Sequence, residues 1–185
     1  PNDVENFKQL TTSKLLIVAR DGNQKKWLPS RMYKSIQLSP DKKYVLIDFI
    51  KTPFSYIVPY NRFPTETHVY DTDSNLIKII NDAPLLEELP KGFMSTTQGK
   101  RNFRWRSDKP STLSFSIALD GGDPLKKVEY RDALYQWEAP FNYPSKFLTK
   151  VKNRINAIYW GNDKTAIIMD LWWNNRNTKT YVFNP

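Results

Sequence analysis

Three stretches of this chain repeat one pattern. Ile36-Gln-Leu-Ser-Pro-Asp41, Phe103-Arg-Trp-Arg-Ser-Asp108 and Ile158-Tyr-Trp-Gly-Asn-Asp163 each read as an apolar-alternating strand that closes on an aspartate turn. A second strand follows each of them, at 43–50, 111–119 and 164–173, and a third follows after a variable insertion, at 67–71, 133–138 and 179–183. The first two copies add a fourth strand, at 76–80 and 146–151, and the third copy stops after three, at Pro185. Four antiparallel strands that open on a strand and a polar turn make the blade of a β-propeller. The three aspartates stand 67 and 55 residues apart, longer than the roughly 40 to 50 residues of common propeller repeats. Insertions between the second and third strands account for the surplus.

The expected fold class is therefore all-β: antiparallel four-stranded blades arranged as a partial β-propeller of about three to four blades. Residues 1–30 read as the end of one blade, 31–82 as a blade, 83–152 as a blade with an insertion, and 153–185 as an incomplete blade. On pattern alone a β-sandwich also accommodates these strands. Thirteen prolines against six glycines, with tryptophan and tyrosine common, argue against long helices. Only 83–91 reads as helical, for one to two turns, because Pro84 suits a first turn and Pro90 stops it. Asp21-Gly-Asn23, Asp71-Thr-Asp-Ser-Asn75 and Asp120-Gly-Gly-Asp-Pro124 supply turn chemistry between strands. A closed ring takes about 4 to 8 blades, so the chain reads as a slice of a larger one.

Composition removes several function classes. There is no cysteine, which excludes disulfides, thiolate catalysis, iron–sulfur clusters and cysteine-based zinc sites. The apolar runs, such as 44–47 and 166–169, fall far short of the roughly 18 to 20 residues of a membrane-spanning helix, and no signal-peptide pattern is visible. With 28 basic and 19 acidic residues the net charge is +9.

Longer motifs carry a resemblance. Thr52-Pro-Phe-Ser-Tyr-Ile-Val-Pro-Tyr-Asn-Arg-Phe-Pro64, Phe103-Arg-Trp-Arg-Ser-Asp-Lys-Pro110, Ala118-Leu-Asp-Gly-Gly-Asp-Pro124, Tyr130-Arg-Asp132, Ala139-Pro-Phe141, Trp160-Gly161 and Trp172-Trp-Asn-Asn-Arg-Asn-Thr-Lys-Thr180 resemble the propeller of glutamyl endopeptidase-type members of the prolyl oligopeptidase family of serine peptidases. The resemblance runs in family order from about Phe7 to Pro185 and corresponds to the middle and later blades. It implies a parent enzyme in which the propeller caps a C-terminal α/β-hydrolase domain carrying Ser, Asp and His, with peptide substrates passing between the two. The expected partners are thus peptide substrate and that hydrolase domain. A periplasmic or secreted location follows from the resemblance alone. The six glycines of this sequence never bracket a serine in a G-x-S-x-G elbow, so no catalytic residue is assigned here, and neither a metal nor a cofactor is implied.

The candidate binding residues lie in and around the insertion 51–64, which Pro53, Pro59 and Pro64 stiffen. A stiff loop loses little entropy when it binds. Should the parent cleave after acidic residues, as the resemblance implies, a substrate carboxylate needs a cation, and the planar fork of arginine matches it best. Arg62 is the first candidate, with Tyr56 and Tyr60 beside it, and Arg101 and Arg176 stand behind it. The run Lys100-Arg-Asn-Phe-Arg-Trp-Arg106 interleaves cations with aromatics as a nucleic-acid binder would. Strand alternation splits it, with Phe103 and Trp105 on one face and Arg104 and Arg106 on the other, so those arginines pair with carboxylates or face the propeller channel. Nucleic-acid binding is the least favoured class, behind a free-standing peptide-binding module. His68, the only histidine, lies in a strand without the nucleophile and orienting acid that base catalysis needs. Asp71 and Asp120 read as turn caps rather than calcium ligands, and Trp172 and Trp173, adjacent in the strand 166–173, point to opposite faces, so at most one of them is exposed. Unfinished blade edges invite pairing, so the isolated chain is expected to self-associate.

Overall fold

Tyr44-Val-Leu-Ile-Asp-Phe-Ile50 is apolar at almost every position, which suits a strand covered on both faces. In the computed structural model, which describes residues 2–185, it is such a strand, with Leu46, Ile47 and Phe49 fully buried. The chain divides into two units, one running to Leu38 and resuming over Lys42–Glu87, the other comprising Ser39–Asp41 and Glu88–Pro185.

In the first unit, β1 (Thr12–Val18), β2 (Gln24–Leu38), β3 (Tyr44–Ile50), β4 (Thr65–Asp71) and β5 (Leu76–Ala83) form one antiparallel sheet in that order. β2 runs unbroken through residues 30 and 31; its first half pairs with β1 and its second half with β3. Leu28, Val45, Ile47, Phe49 and Tyr70 form the core, with Leu15, Trp27 and Tyr33 packed on it.

Two local assignments differ from the sequence expectation. Asp3–Thr11 is a helix, α1, with Asp3 and Glu5 in its first turn and Lys8 in its last, which complements the helix dipole. Phe7 anchors it edge-on against Phe54 and Phe63, at centroid distances of 4.8 and 5.6 Å. The segment 83–91 is not helical. Between Pro84 and Pro90 the Leu86 N–H donates to the carbonyl of Arg62 (3.0 Å), so a long-range bond replaces the i→i−4 bond a helix requires.

The second unit holds two sheets. β6 (Lys100–Trp105), β7 (Thr112–Ala118), β8 (Asp132–Glu138) and β9 (Lys146–Val151) form a four-stranded antiparallel sheet, and β10 (Arg154–Asn162), β11 (Thr165–Trp172) and β12 (Asn177–Phe183) a three-stranded one. Leu134, Val151 and Ile168 form their common core with Ile155, Ile158 and Trp160 around it. Strand alternation is plain in the smaller sheet. Ile158, Ile168 and Tyr181 stand in one cross-strand row and pack on the core; the next row, Tyr159, Ile167 and Val182, is exposed, Val182 by 71 %. β6 carries a bulge. Arg101 opposes Ser116 and Arg104 opposes Ser114, so three steps on β6 match two on β7, with Asn102 in the left-handed region at φ 59°.

The architecture is all-β and antiparallel, with the strand sets of the second and third copies falling into blade-like sheets, as in a partial propeller. Among the described residues no helix is long and apolar enough to cross a membrane.

Candidate functional site

The insertion between β3 and β4 is closed at its base by the Lys51 N–H donating to the Pro64 carbonyl (2.8 Å). Phe54 stacks on Phe63 at 5.2 Å, and Phe7 of α1 completes the aromatic plug. Above it, Tyr60–Arg62 make a 3-10 turn in which the Arg62 N–H donates to the Pro59 carbonyl (2.9 Å), while the Arg62 carbonyl accepts from Leu86. Lys34 Nζ donates to the Asn61 carbonyl (3.3 Å). Backbone anchoring thus fixes a loop whose tip is exposed: Tyr56 is 74 % and Tyr60 58 % accessible, and Arg62 is half-buried. The Arg62 guanidinium forms no ion pair with any described residue. Three of the five expected binding residues, Tyr56, Tyr60 and Arg62, therefore share one anchored loop.

Arg101 sits elsewhere and is committed. Its guanidinium binds the carboxylate of Asp132, a residue with no solvent exposure. Asp132 also accepts from Arg154 Nη1 (2.9 Å) and from the Ile155 N–H (2.9 Å). Arg154 Nη2 reaches Asp120 (2.7 Å), which takes Arg131 Nη1 (2.8 Å) and the Gly122 N–H (2.9 Å) as well. Arg154 further donates to the carbonyls of Met94 and Arg131. Three cations and two carboxylates are thereby locked in a buried lattice that spans β6, β8, β10 and the turn at Asp120. Among the described residues, the buried Arg101 Nη1 has no hydrogen-bond partner. Sequence reading assigned Asp120 to a turn; the structure makes it a hub of ion pairs, signalled in the sequence only by charges placed beside apolar strand residues.

The basic run 100–106 splits between faces as alternation requires. Phe103 packs on Phe115 at 5.2 Å. Arg106 is 1 % exposed, binds Asp108 through Nε (3.0 Å) and Nη2 (2.7 Å), hydrogen-bonds Gln136, and stacks on Trp160 at 4.0 Å. This closes Arg106 to any ligand. Burial raises the Asp108 carboxyl, but the Arg106 hydrogen bonds outweigh it and hold the group below its ordinary range. Lys100 lies 4.6 Å from the centre of the Trp137 ring, and burial pushes its ammonium pKa down.

Arg176 occupies a left-handed position after a 3-10 turn, Trp173–Asn175, and stacks over Trp173 at 4.1 Å. Trp173 lies beyond the end of β11, so strand alternation does not govern it. Trp172, the last residue of β11, carries the Arg131 guanidinium at 4.1 Å.

His68 is buried in β4 between Glu66 and Tyr70. Nε2–H donates to Glu66 (3.0 Å) and Nδ1 accepts the Tyr70 hydroxyl (3.1 Å), which assigns a neutral ring protonated on Nε2. Burial lowers its pKa, with Arg31 and Lys51 adding to the effect against the pull of Glu66. Asp71 caps its own turn by accepting the N–H groups of Asp73 and Asn75. Among the described residues no group of three or more His, Cys, Asp or Glu is placed to hold a metal ion.

No family model matches the sequence. The chain is 36 % identical over 99 % of its length to a probable chloroplastic glutamyl endopeptidase of Oryza sativa subsp. japonica, of which it covers 20 %, and 34 % identical to a protein of the same name from Arabidopsis thaliana, of which it covers 19 %. It thus spans about a fifth of the length of these curated relatives. Among solved structures, the acylaminoacyl peptidase of Pyrococcus horikoshii superposes on 92 % of the chain with a TM-score of 0.55 at 16 % identity, and 27 % of that protein is covered; this likeness concerns the fold. In sequence and in fold, then, the chain is similar to a β-propeller portion of the glutamyl endopeptidase-like serine peptidases of the prolyl oligopeptidase family.

Proposed function

We propose that this chain is the part of a serine peptidase propeller that admits peptides and orients them for an α/β-hydrolase domain carried elsewhere in the same protein, with no peptidase chemistry of its own. The observation that carries the reading is the anchored loop 51–64. It holds an arginine without an ion pair to any described residue, Arg62, just after two exposed tyrosines on a backbone pinned at both ends, as a binding element ordered in advance requires. The names of the relatives support an acidic residue at the cleaved bond, for which Arg62 supplies the complementary charge.

Two measurements test this. The reading frame beyond Pro185 is expected to encode a G-x-S-x-G motif followed by Asp and His; a stop codon directly after Pro185 overturns the peptidase reading. In the whole protein, Arg62→Ala is expected to lower kcat/KM for a glutamate-containing peptide by about tenfold or more, with the glutamine analogue unaffected. Equal effects on both remove Arg62 from substrate recognition.

Taken alone, the chain self-associates through its third sheet, where among the described residues β12 pairs with β11 only and the row Tyr159, Ile167, Val182 is exposed. Light scattering at rising concentration should show dimers or larger species, and Val182→Lys should shift them toward monomer. A monomer at every concentration refutes this.

A further inference from the structure

The second unit contains a crevice of about 510 Å³ between one face of the four-stranded sheet and the strand β10, within the size range of small-ligand sites. Its floor carries Ser116 and Ser114, the latter with its hydroxyl donating to the Arg104 carbonyl (3.3 Å). Asn156 and Tyr159 stand on the β10 side, and Trp160 contributes apolar wall. The only charged residue among those that line it is Arg104, which is solvent-exposed and whose guanidinium forms no ion pair with any described residue. The contrast with Arg106 is sharp. Both arginines leave the same face of the same segment, yet Arg106 is consumed by Asp108 and Gln136 while Arg104 has no carboxylate in reach.

We propose that this crevice is a binding site for a carboxylate, with Arg104 as the cation and the Ser116 hydroxyl and the Asn156 amide as neutral donors. The inference goes beyond the reading above, because it concerns different residues in a different unit. A single planar guanidinium supplemented by neutral donors fits a planar monoanion through two parallel N–H···O bonds. A phosphate dianion would call for more positive charge than one arginine provides. The apolar wall at Trp160 and Leu134 accepts the aliphatic stem that a glutamate or dicarboxylic acid carries behind its charged end. The carboxylate comes either from an acidic side chain of a peptide or from a free small acid, and these are the same chemistry to the site. The +9 charge of the chain favours the approach of either. The β6 bulge contributes by inserting an extra residue, with Asn102 in a left-handed conformation at the rim.

The test uses the whole 185-residue chain and four probes: acetyl-Ala-Glu-Ala-amide, its glutamine analogue, glutarate and inorganic phosphate. Calorimetry reads affinity, and the indole N–H resonance of Trp160 locates the ligand. The expected result is that the glutamate peptide or glutarate binds at least tenfold tighter than both the glutamine peptide and phosphate, and shifts the Trp160 indole. Peptide binding without glutarate binding identifies a peptide source, and glutarate binding alone a free acid. Arg104→Gln is expected to weaken the carboxylate by tenfold or more and Arg104→Lys by less. Asn156→Asp, at an exposed position that does not threaten folding, should weaken it by repulsion. Equal binding of the glutamate and glutamine peptides, tighter binding of phosphate, no binding of any probe, or indifference to all three substitutions overturns the proposal. Loss of carboxylate binding in Arg62→Ala but not in Arg104→Gln overturns it while leaving the proposed function standing.

Discussion

Two clusters of titratable and charged side chains in this molecule look alike in composition and differ in circumstance. In the second unit, Arg101, Arg131 and Arg154 share Asp120 and Asp132, and both carboxylates are sealed from solvent. In the first unit, Arg31, Lys51 and His68 converge on Glu66, whose side chain remains 24 % exposed, and Lys51 continues to the open Asp82. The dry cluster fixes strand against strand, because any member left alone is a buried charge with nowhere to go. In the wet cluster, water substitutes for a lost partner, so the pairs contribute little and the group is free to titrate. Arginine content therefore says nothing by itself about function here; what matters is whether a carboxylate of the same chain has already claimed the guanidinium. By that criterion Arg101 is structural, and Arg62 and Arg104 are available.

Breaking the dry cluster should have the largest effect. Asp132→Ala leaves Arg101 and Arg154 buried without their shared acceptor and should cost about 3–5 kcal/mol in urea unfolding. A loss below about 1 kcal/mol would show that water reaches the site and that the two clusters do not differ as described. Glu66→Gln, the matching change in the wet cluster, should cost about 1 kcal/mol or less.

These differences mark what a sequence can disclose. The alternation of 112–118 and 132–138 and the turn aspartates announce the sheets, because strand period and turn chemistry are local. The three equivalent turns are nevertheless held differently: Asp41 accepts hydrogen bonds from Ser39 and Ser111, and Asp108 grips Arg106, whereas in the third copy it is Asn162 that caps the turn by accepting the Lys164 N–H. The buried lattice was out of reach because its partners lie 22 to 34 residues apart in sequence, apart from Arg131 and Asp120. Helix α1 was missed because one aromatic, Phe7, anchors it rather than a periodic apolar stripe. The loop 51–64 was legible, since proline stiffening and exposed tyrosines are written in its residues, and Arg104 was legible as to face but not as to freedom.

The wet cluster also predicts a pH dependence of known sign. Burial holds the His68 imidazole below its ordinary value near 6.5, so the unfolded chain binds the proton more readily than the native one. Stability is then complete above about pH 6.5 and declines as pH falls from there toward the lower native pKa. Glu66 acts in the same direction further down. Burial alone would raise its pKa, but hydrogen bonds from Lys51 and His68 hold it below about 4.5, so its contribution is lost as pH falls below that value. Unfolding midpoints measured from pH 8 to pH 5 should decrease, and His68→Gln should flatten the decrease. A His68→Gln profile as steep as that of the parent chain would place the titrating group elsewhere.

The smallest effect on stability belongs to Arg62, and that is its diagnostic value. Its side chain holds no ion pair with any described residue, while its backbone carries the hydrogen bonds to Pro59 and Leu86. Arg62→Ala keeps those backbone bonds, so the unfolding midpoint should stay within about 0.5 kcal/mol of the unaltered chain. A change of charge without a change of fold separates the two kinds of arginine in one experiment: Asp132→Ala is felt in stability, Arg62→Ala only in what the loop binds. A loss of 2 kcal/mol or more in Arg62→Ala would move it into the structural class with Arg101 and leave the loop without an available cation, so recognition of an acidic substrate would then have to come from other residues.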